Sequence, residues 1–182
     1  MKIIWARVNV NGNSIYAQIT HKEEKDKELL NKLYFEWKKL NENIKKISTR
    51  GINLPEAISE NAFCLFFESV FRVVRLQKGK CSYDCVDNKT GKRIQIKASS
   101  VKSDLTSFGP KSEWDDLYFL DFSKGDGTFL IYKIEKEWIY NHKVNRQQTF
   151  EEQQKQSRRP RFSIIKEIIN PRKLKPVKIC KL

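Results

Sequence analysis

The residues of this chain whose types and spacing could do chemistry are Asp84, Gln95 and Lys97, in the stretch CSYDCVDNKTGKRIQIKASS at positions 81–100. Residues 81–86 and 92–98 read as two strands turning at Asn88-Lys89-Thr90-Gly91, and the period-2 alternation of a strand then puts these polar side chains on one face. Ile94, Ile96 and Ala98 take the other. A carboxylate, a second oxygen ligand and a lysine at one spot are what metal-assisted cleavage of a phosphodiester needs. Asp84 would hold a hard divalent cation and Gln95 would add a neutral oxygen. Lys97 would orient or help deprotonate the attacking water and offset charge developing on the phosphorane. A plainer reading stands beside this one. An Asp near a hairpin and a Lys on a strand are commonplace solvated residues, and the spacing alone recurs by chance.

The surrounding order gives the motif its context: residues 53–139 run as helix, metal-binding hairpin, polar loop and two further strands. This arrangement resembles the PD-(D/E)XK nuclease superfamily, whose signature is an acid, a variable hairpin, then acid-x-Lys on the next strand. Position 95 is Gln where that superfamily usually has Glu or Asp, so one ligand charge is missing. The resemblance implies a further acid from the preceding helix, best matched by Glu60 in Ile58-Ser59-Glu60-Asn61, with Glu56 or Glu68 in reserve. Otherwise Glu60 is a first-turn acid favourable to the helix dipole. It also implies Mg2+ as cofactor and the Ile96 carbonyl as another ligand.

The stretches NLPEAISENAFCLFFESVFR, YDCVDNKTGKRIQIKASSVKSDLTSFGPKSEWDDLYFLDF and RRPRFSI are similar to those of a small family of type II restriction endonucleases that cut GCNGC sites. The similarity covers roughly residues 50–165. It implies an α/β restriction-endonuclease-like fold, a mixed central sheet flanked by helices, acting on double-stranded DNA. It implies a homodimer on a near-palindromic duplex, each subunit cutting one strand, because one site per chain cannot make both cuts at once. It also implies a cognate DNA methyltransferase that protects host sites. Two rivals are a structure-specific repair nuclease or junction resolvase, and a basic nucleic-acid-binding module in which Gln95 marks a decayed site.

Composition agrees with one compact domain over residues 1–182. A chain of 182 residues with 39% hydrophobic content can bury one sizeable core, and 11 Phe, 6 Tyr and 4 Trp argue against disorder. The formal charge of +14 attracts a polyanion, nucleic acid above all. Residues 141–182 carry 12 Lys and Arg against 3 Glu, a net +9, and read as a basic DNA-binding segment. With no long apolar run and no signal-peptide pattern at the N-terminus, a cytoplasmic protein without a membrane span is expected. Cys64, Cys81, Cys85 and Cys180 lack paired CxxC spacing and read as buried free thiols, Cys81 and Cys85 sharing the strand face opposite Asp84.

Elsewhere along the chain, residues 3–10 and 14–20 read as strands around Asn11-Gly12-Asn13, with a helix as the alternative for the first. Residues 22–47 read as an amphipathic helix through Leu30, Leu33, Trp37, Leu40, Ile44 and Ile47, whose seam could pack on the core or pair with a second subunit. A second helix is expected from Asn53 and Pro55 to about Gln77, stopping at Gly79. Residues 114–122 and 128–134 read as core strands, with Asp115 and Asp116 as strand-start acids.

The loop after Lys97 is rich in hydroxyls and lysines, and Ser99, Ser100, Lys102, Ser103 and Lys111 are the candidates for phosphate contact. An ordinary surface loop would look similar. Residues 147–156 are polar and helix-forming, and residues 158–164 look like a rigid basic turn leading into a strand. Arg158, Arg159 and Arg161 are candidates for reading guanine edges, with pure phosphate contact as the equal alternative.

Overall fold

The computed structural model describes residues 1–182. Strands β1 (Lys2–Val10) and β2 (Asn13–His21) precede helices α1 (Asp26–Lys45) and α2 (Glu56–Leu65). Strands β3 (Val70–Leu76), β4 (Cys85–Asp87), β5 (Arg93–Ser99), β6 (Thr106–Ser107), β7 (Asp116–Asp121) and β8 (Thr128–Ile134) follow. Helices α3 (Lys136–Tyr140) and α4 (Phe150–Lys155), strand β9 (Arg161–Phe162), a π-helical turn (Ile165–Ile169) and strand β10 (Lys178–Lys181) complete the chain. Eight strands form one sheet in the order β1-β2-β3-β4-β5-β7-β8-β10, mixed because β5 and β7 run parallel while its other pairs are antiparallel. This is the α/β architecture expected, a mixed central sheet with helices against it.

Residues 1–21 form a true hairpin; no helix replaces its first strand. Asn11 (φ 51°) and Gly12 (φ 82°) make the turn, both in the left-handed region that tight hairpins use. One face of the hairpin buries Val8, Val10, Ala17 and Ile19 with Val73, Tyr83 and Val86. Its tip docks on the turn between β4 and β5, where the Asn11 N–H donates to the Gly91 carbonyl at 2.9 Å. A Cβ at Gly91 would lie 3.0 Å from the Asn11 nitrogen, so this close approach needs glycine there.

Helix α1 buries Leu30, Tyr34, Trp37 and Asn41, an i, i+4, i+7, i+11 stripe, against Phe122 and α2. Leu33, Leu40 and Ile47, placed on the packing seam by sequence spacing, are exposed instead. Tyr34 and Asn41 outcompete them because Tyr34 stacks on Phe122 and the Asn41 Oδ1 accepts the Ile52 N–H at 2.7 Å.

The expected helix over 53–77 is corrected. It stops at Leu65, and Val70–Leu76 is a strand pairing with both β2 and β4. The Lys22 ammonium terminates α2 by donating to the carbonyls of Cys64, Phe67 and Glu68. Beyond it, VFRVVRL is rich in β-branched residues, and a short continuous apolar run reads equally as buried helix or buried strand. Two waiting strand partners decide for the strand.

Cysteine placement differs from expectation at one site. Cys64, Cys85 and Cys180 are buried free thiols in the main core. Cys81 is half-buried and packs on the hairpin cluster, away from Cys85. Residues 81–84 lie ahead of β4, so strand alternation does not govern them. β10, unforeseen in the tail, closes the sheet beside β8. A second core of Phe108, Trp114, Phe119, Phe150, Phe162 and Ile164 joins the C-terminal elements to β7 and β8. No helix is long and apolar enough to cross a membrane.

Candidate active site

The β4–β5 hairpin and α2 build the candidate site. Asp84 sits at the entrance to β4, tied on both sides: its N–H donates to the Ile94 carbonyl at 3.0 Å, and its own carbonyl accepts the Val73 N–H at 2.9 Å. The β4–β5 ladder runs no further along β5, so the Ile96 N–H is free of a strand partner on that edge and donates to Asp84 Oδ2 at 2.8 Å. Gln95 Nε2 donates to the same oxygen, leaving Gln95 Oε1 as a free acceptor. Ile94 and Ile96 are buried in the main core, as the alternation requires. Lys97, on the Gln95 face, stands with its ammonium 5.5 Å from the centre of the Phe108 ring.

Glu60, on α2, is 6% exposed and near enough to Asp84 for the two charges to interact. Its Oε2 accepts a hydrogen bond from Arg72 Nε, a partner that sequence reasoning missed. Arg72 was hidden by the reading of residues 53–77 as one helix; the β-branched residues around it were the signal for a strand. Glu56 and Glu68 are both exposed. Asp115 is bound to Arg93, and Asp116 to Lys92 and Lys133, so both are structural acids at the start of β7.

Two buried carboxylates close together are costly to ionise. Burial pushes the Glu60 carboxyl up to about 7; the Asp84 charge adds to the rise and the Arg72 guanidinium opposes it. Burial also raises Asp84, against the pull of the Lys97 ammonium and the Ile96 N–H. A cation at this spot would relieve both groups. The donors that could hold it are all hard oxygens: the carboxylates of Asp84 and Glu60, Gln95 Oε1 and the Ile96 carbonyl. No cluster of three or more His, Cys, Asp or Glu is present. Two carboxylates flanked by neutral oxygens would suit Mg2+, which is commonly held by one or two carboxylates plus water and substrate phosphate.

Comparison with known proteins identifies the family. Residues 22–171 match the Bsp6I restriction endonuclease family. The chain belongs to that family. It is 42% identical over 151 residues to the type II restriction enzyme Bsp6I of Bacillus sp. (strain RFL6), covering 80% of this chain and 82% of that one. No solved structure matches it. Membership makes the chain a type II restriction endonuclease.

The matched Bsp6I-family segment contains every candidate site residue, and the fold joins the polar loop after Lys97 to the arginine turn. β6, in the loop after Lys97, pairs with β9, beside the arginine turn, with Ser107 opposite Arg161. The buried carboxylate of Asp104 fastens the same junction, accepting from Thr106 Oγ1, Ser163 Oγ and the Ile164 and Ile165 N–H groups. Phe108, under Lys97, donates its N–H to the Pro160 carbonyl at 3.1 Å, linking β5 to Arg158-Arg159-Pro160-Arg161. Lys102, Ser103, Lys111, Arg158, Arg159 and Arg161 are exposed, and Ser100 is half-exposed. Ser99 is corrected as a phosphate contact: it is buried and its hydroxyl is bonded to the Val101 backbone.

Proposed function

We propose that the enzyme hydrolyses phosphodiesters of double-stranded DNA at a specific sequence, with Mg2+ held by Asp84, Gln95 Oε1, the Ile96 carbonyl and Glu60 Oε1. The observation that carries this reading is the convergence of Asp84, Gln95 and Glu60 beside Lys97, with Asp84 clamped by the Ile96 N–H. Magnesium, when bound, would polarise the scissile phosphate and favour ionisation of a nearby water. Asp84 is held in one orientation by hydrogen bonds to two strands, β3 and β5, and does not need to reorganise as substrate enters. Arg72 occupies Glu60 Oε2 and so leaves the other oxygen as the one that would bind a cation. Lys97 donates to the attacking water or to a phosphoryl oxygen, offsetting charge as the water oxygen bonds to phosphorus and the opposite ester oxygen leaves.

The basic loop and arginine turn would lie along the duplex, with Ser100, Lys102, Ser103 and Lys111 on phosphates and Arg158, Arg159 and Arg161 reaching base edges or phosphates. The likeness to enzymes cutting GCNGC supports that site, and a site of near-twofold symmetry supports a homodimer cutting each strand once. A restriction activity also calls for a cognate DNA methyltransferase and for action in the cytoplasm, where the DNA is.

The test is incubation of the protein with unmethylated phage DNA, with and without Mg2+, followed by mapping of fragment ends. Discrete Mg2+-dependent bands ending at GCNGC are expected. Intact DNA would reject the reading, and bands ending elsewhere would reject the site.

A further inference from the structure

The N-terminal hairpin lies outside the segment that matches the family, yet it is welded to the catalytic hairpin at its tip. We infer that the outer face of this hairpin is a second contact surface for duplex DNA, gripping the sugar–phosphate backbone beside the cleavage site. The inference rests on the duplex substrate proposed above.

Three observations carry it. The first is composition: residues 1–22 and 69–83 contain no Asp or Glu, while Arg7, Arg75 and Lys78 lie exposed on the surface they form. None of these cations is in an ion pair, in contrast to Arg93, Lys92, Lys133 and Lys155. The second is aromatic. Trp5 (37% exposed) and Tyr16 (41% exposed) stack at 5.2 Å across the strands, with the Arg75 guanidinium 5.2 Å over the Trp5 ring. Exposed aromatic rings beside unpaired cations suit a nucleic-acid surface, and on a duplex, whose bases stay stacked, the rings would meet sugars.

The third is register. A bulge in the β2–β3 pairing at Gln18 and Ile19 inserts one extra residue into β3. Arg72 and Arg75, three apart, would face opposite sides of an ideal strand; the bulge brings them to the same face. Arg72 touches Glu60, so the basic face begins about 10 Å along β3 from the candidate site, within the span of a single duplex. Arg7, Tyr16 and Lys78 continue it into a shallow cleft. A second copy of the chain is a poor occupant, because self-association would set this acid-free face against like charge.

The experiment measures salt-dependent binding of the full chain to a labelled duplex by fluorescence anisotropy without divalent cation, so no cutting intervenes. An Arg7→Gln/Arg75→Gln/Lys78→Gln variant should lower the slope of log K against log salt by about 2–3 and weaken binding roughly tenfold or more. A control variant removing equal charge from the C-terminal part of α1 and its cap, Lys39→Gln/Lys45→Gln/Lys46→Gln, should keep the wild-type slope. Equal loss in both variants, an unchanged slope in the first, or a changed mass by light scattering would overturn the inference. Hydroxyl-radical footprinting of the wild type supplies a reading that needs no variant. Protection extending beyond the recognition site supports the hairpin contact, and protection confined to the site refutes it. Failure of wild-type DNA cleavage with Mg2+ would instead reject the restriction reading and leave the binding result standing.

Discussion

The Arg72 guanidinium holds the Glu60 carboxylate, joining a strand to a helix across the candidate site. Arg72 is a positioning residue in this arrangement: it fixes one oxygen of Glu60 and lowers the pKa of both buried acids. Arg72→Gln should therefore lower cleavage and move the acid limb of the pH–rate profile to higher pH, because Glu60 would lose the cation that opposes its rise. Arg72→Lys should return part of the rate and part of the profile. An unshifted profile in the Gln variant would limit Arg72 to a purely structural part.

Lys97→Ala should reduce cleavage on the order of 100- to 1000-fold, the usual loss for one preorganised donor to a transition-state charge. Binding to the same duplex should persist, since its ammonium is in no ion pair that holds the fold. Single-turnover cleavage beside gel-shift binding separates the two effects. Asp84→Asn should likewise remove metal-dependent cutting, and wild-type turnover in either variant would reject the site.

Gln95→Glu restores a third carboxylate to a site that has two. Added negative charge should tighten Mg2+ binding, so half-maximal cleavage should need several-fold less metal. Its cost appears without metal, because a further buried acid beside Asp84 raises the repulsion already present. Titration of the rate with Mg2+ tests the first effect and thermal melting in EDTA the second.

Glu60 also predicts how stability depends on pH. Its folded-state pKa, about 7, is raised above the ordinary 4.5, so the folded protein binds a proton that the unfolded chain releases. The corresponding stabilisation is present at low pH and is lost as pH rises through about 7, on the order of a few kcal/mol. Without divalent cation the midpoint of melting should fall by several degrees between about pH 5 and pH 8 in the wild type and less in Glu60→Gln. Saturating Mg2+ should raise the midpoint more at the higher pH, where the carboxylates are ionised. Equal stabilisation by Mg2+ at both values would contradict the proposed ligands.

Asp104 governs the junction between the polar loop and the arginine turn. Asp104→Ala would strip the Ile164 and Ile165 N–H groups and two hydroxyls of their acceptor inside the protein. A loss of about 3–5 kcal/mol is expected, measured by urea denaturation. Asp104→Asn keeps one acceptor oxygen and should cost less, while loosening of the arginine turn should relax discrimination between sites.

Much of this enzyme is legible along single stretches of chain. The alternation of Gln95 and Lys97 with Ile94 and Ile96 determines which side chains share a face, and Asn11-Gly12 and the turn at Gly91 determine where the chain reverses. These are properties of neighbouring residues, set by strand periodicity and by backbone torsions that few residues tolerate. The pairing of Glu60 with Arg72 is different in kind, since the run around Arg72 satisfies helix and strand alike until β2 and β4 lie beside it. The buried side of α1 was likewise decided by Phe122 and Ile52, which favour Tyr34 and Asn41 over the more apolar Leu33 and Leu40. The burial of Ser99, the docking of β10 and the Asp104 staple depend on partners distant in sequence. Local spacing thus determined the chemistry on offer, whereas contacts between distant segments decided which groups are desolvated, paired and aimed at one another.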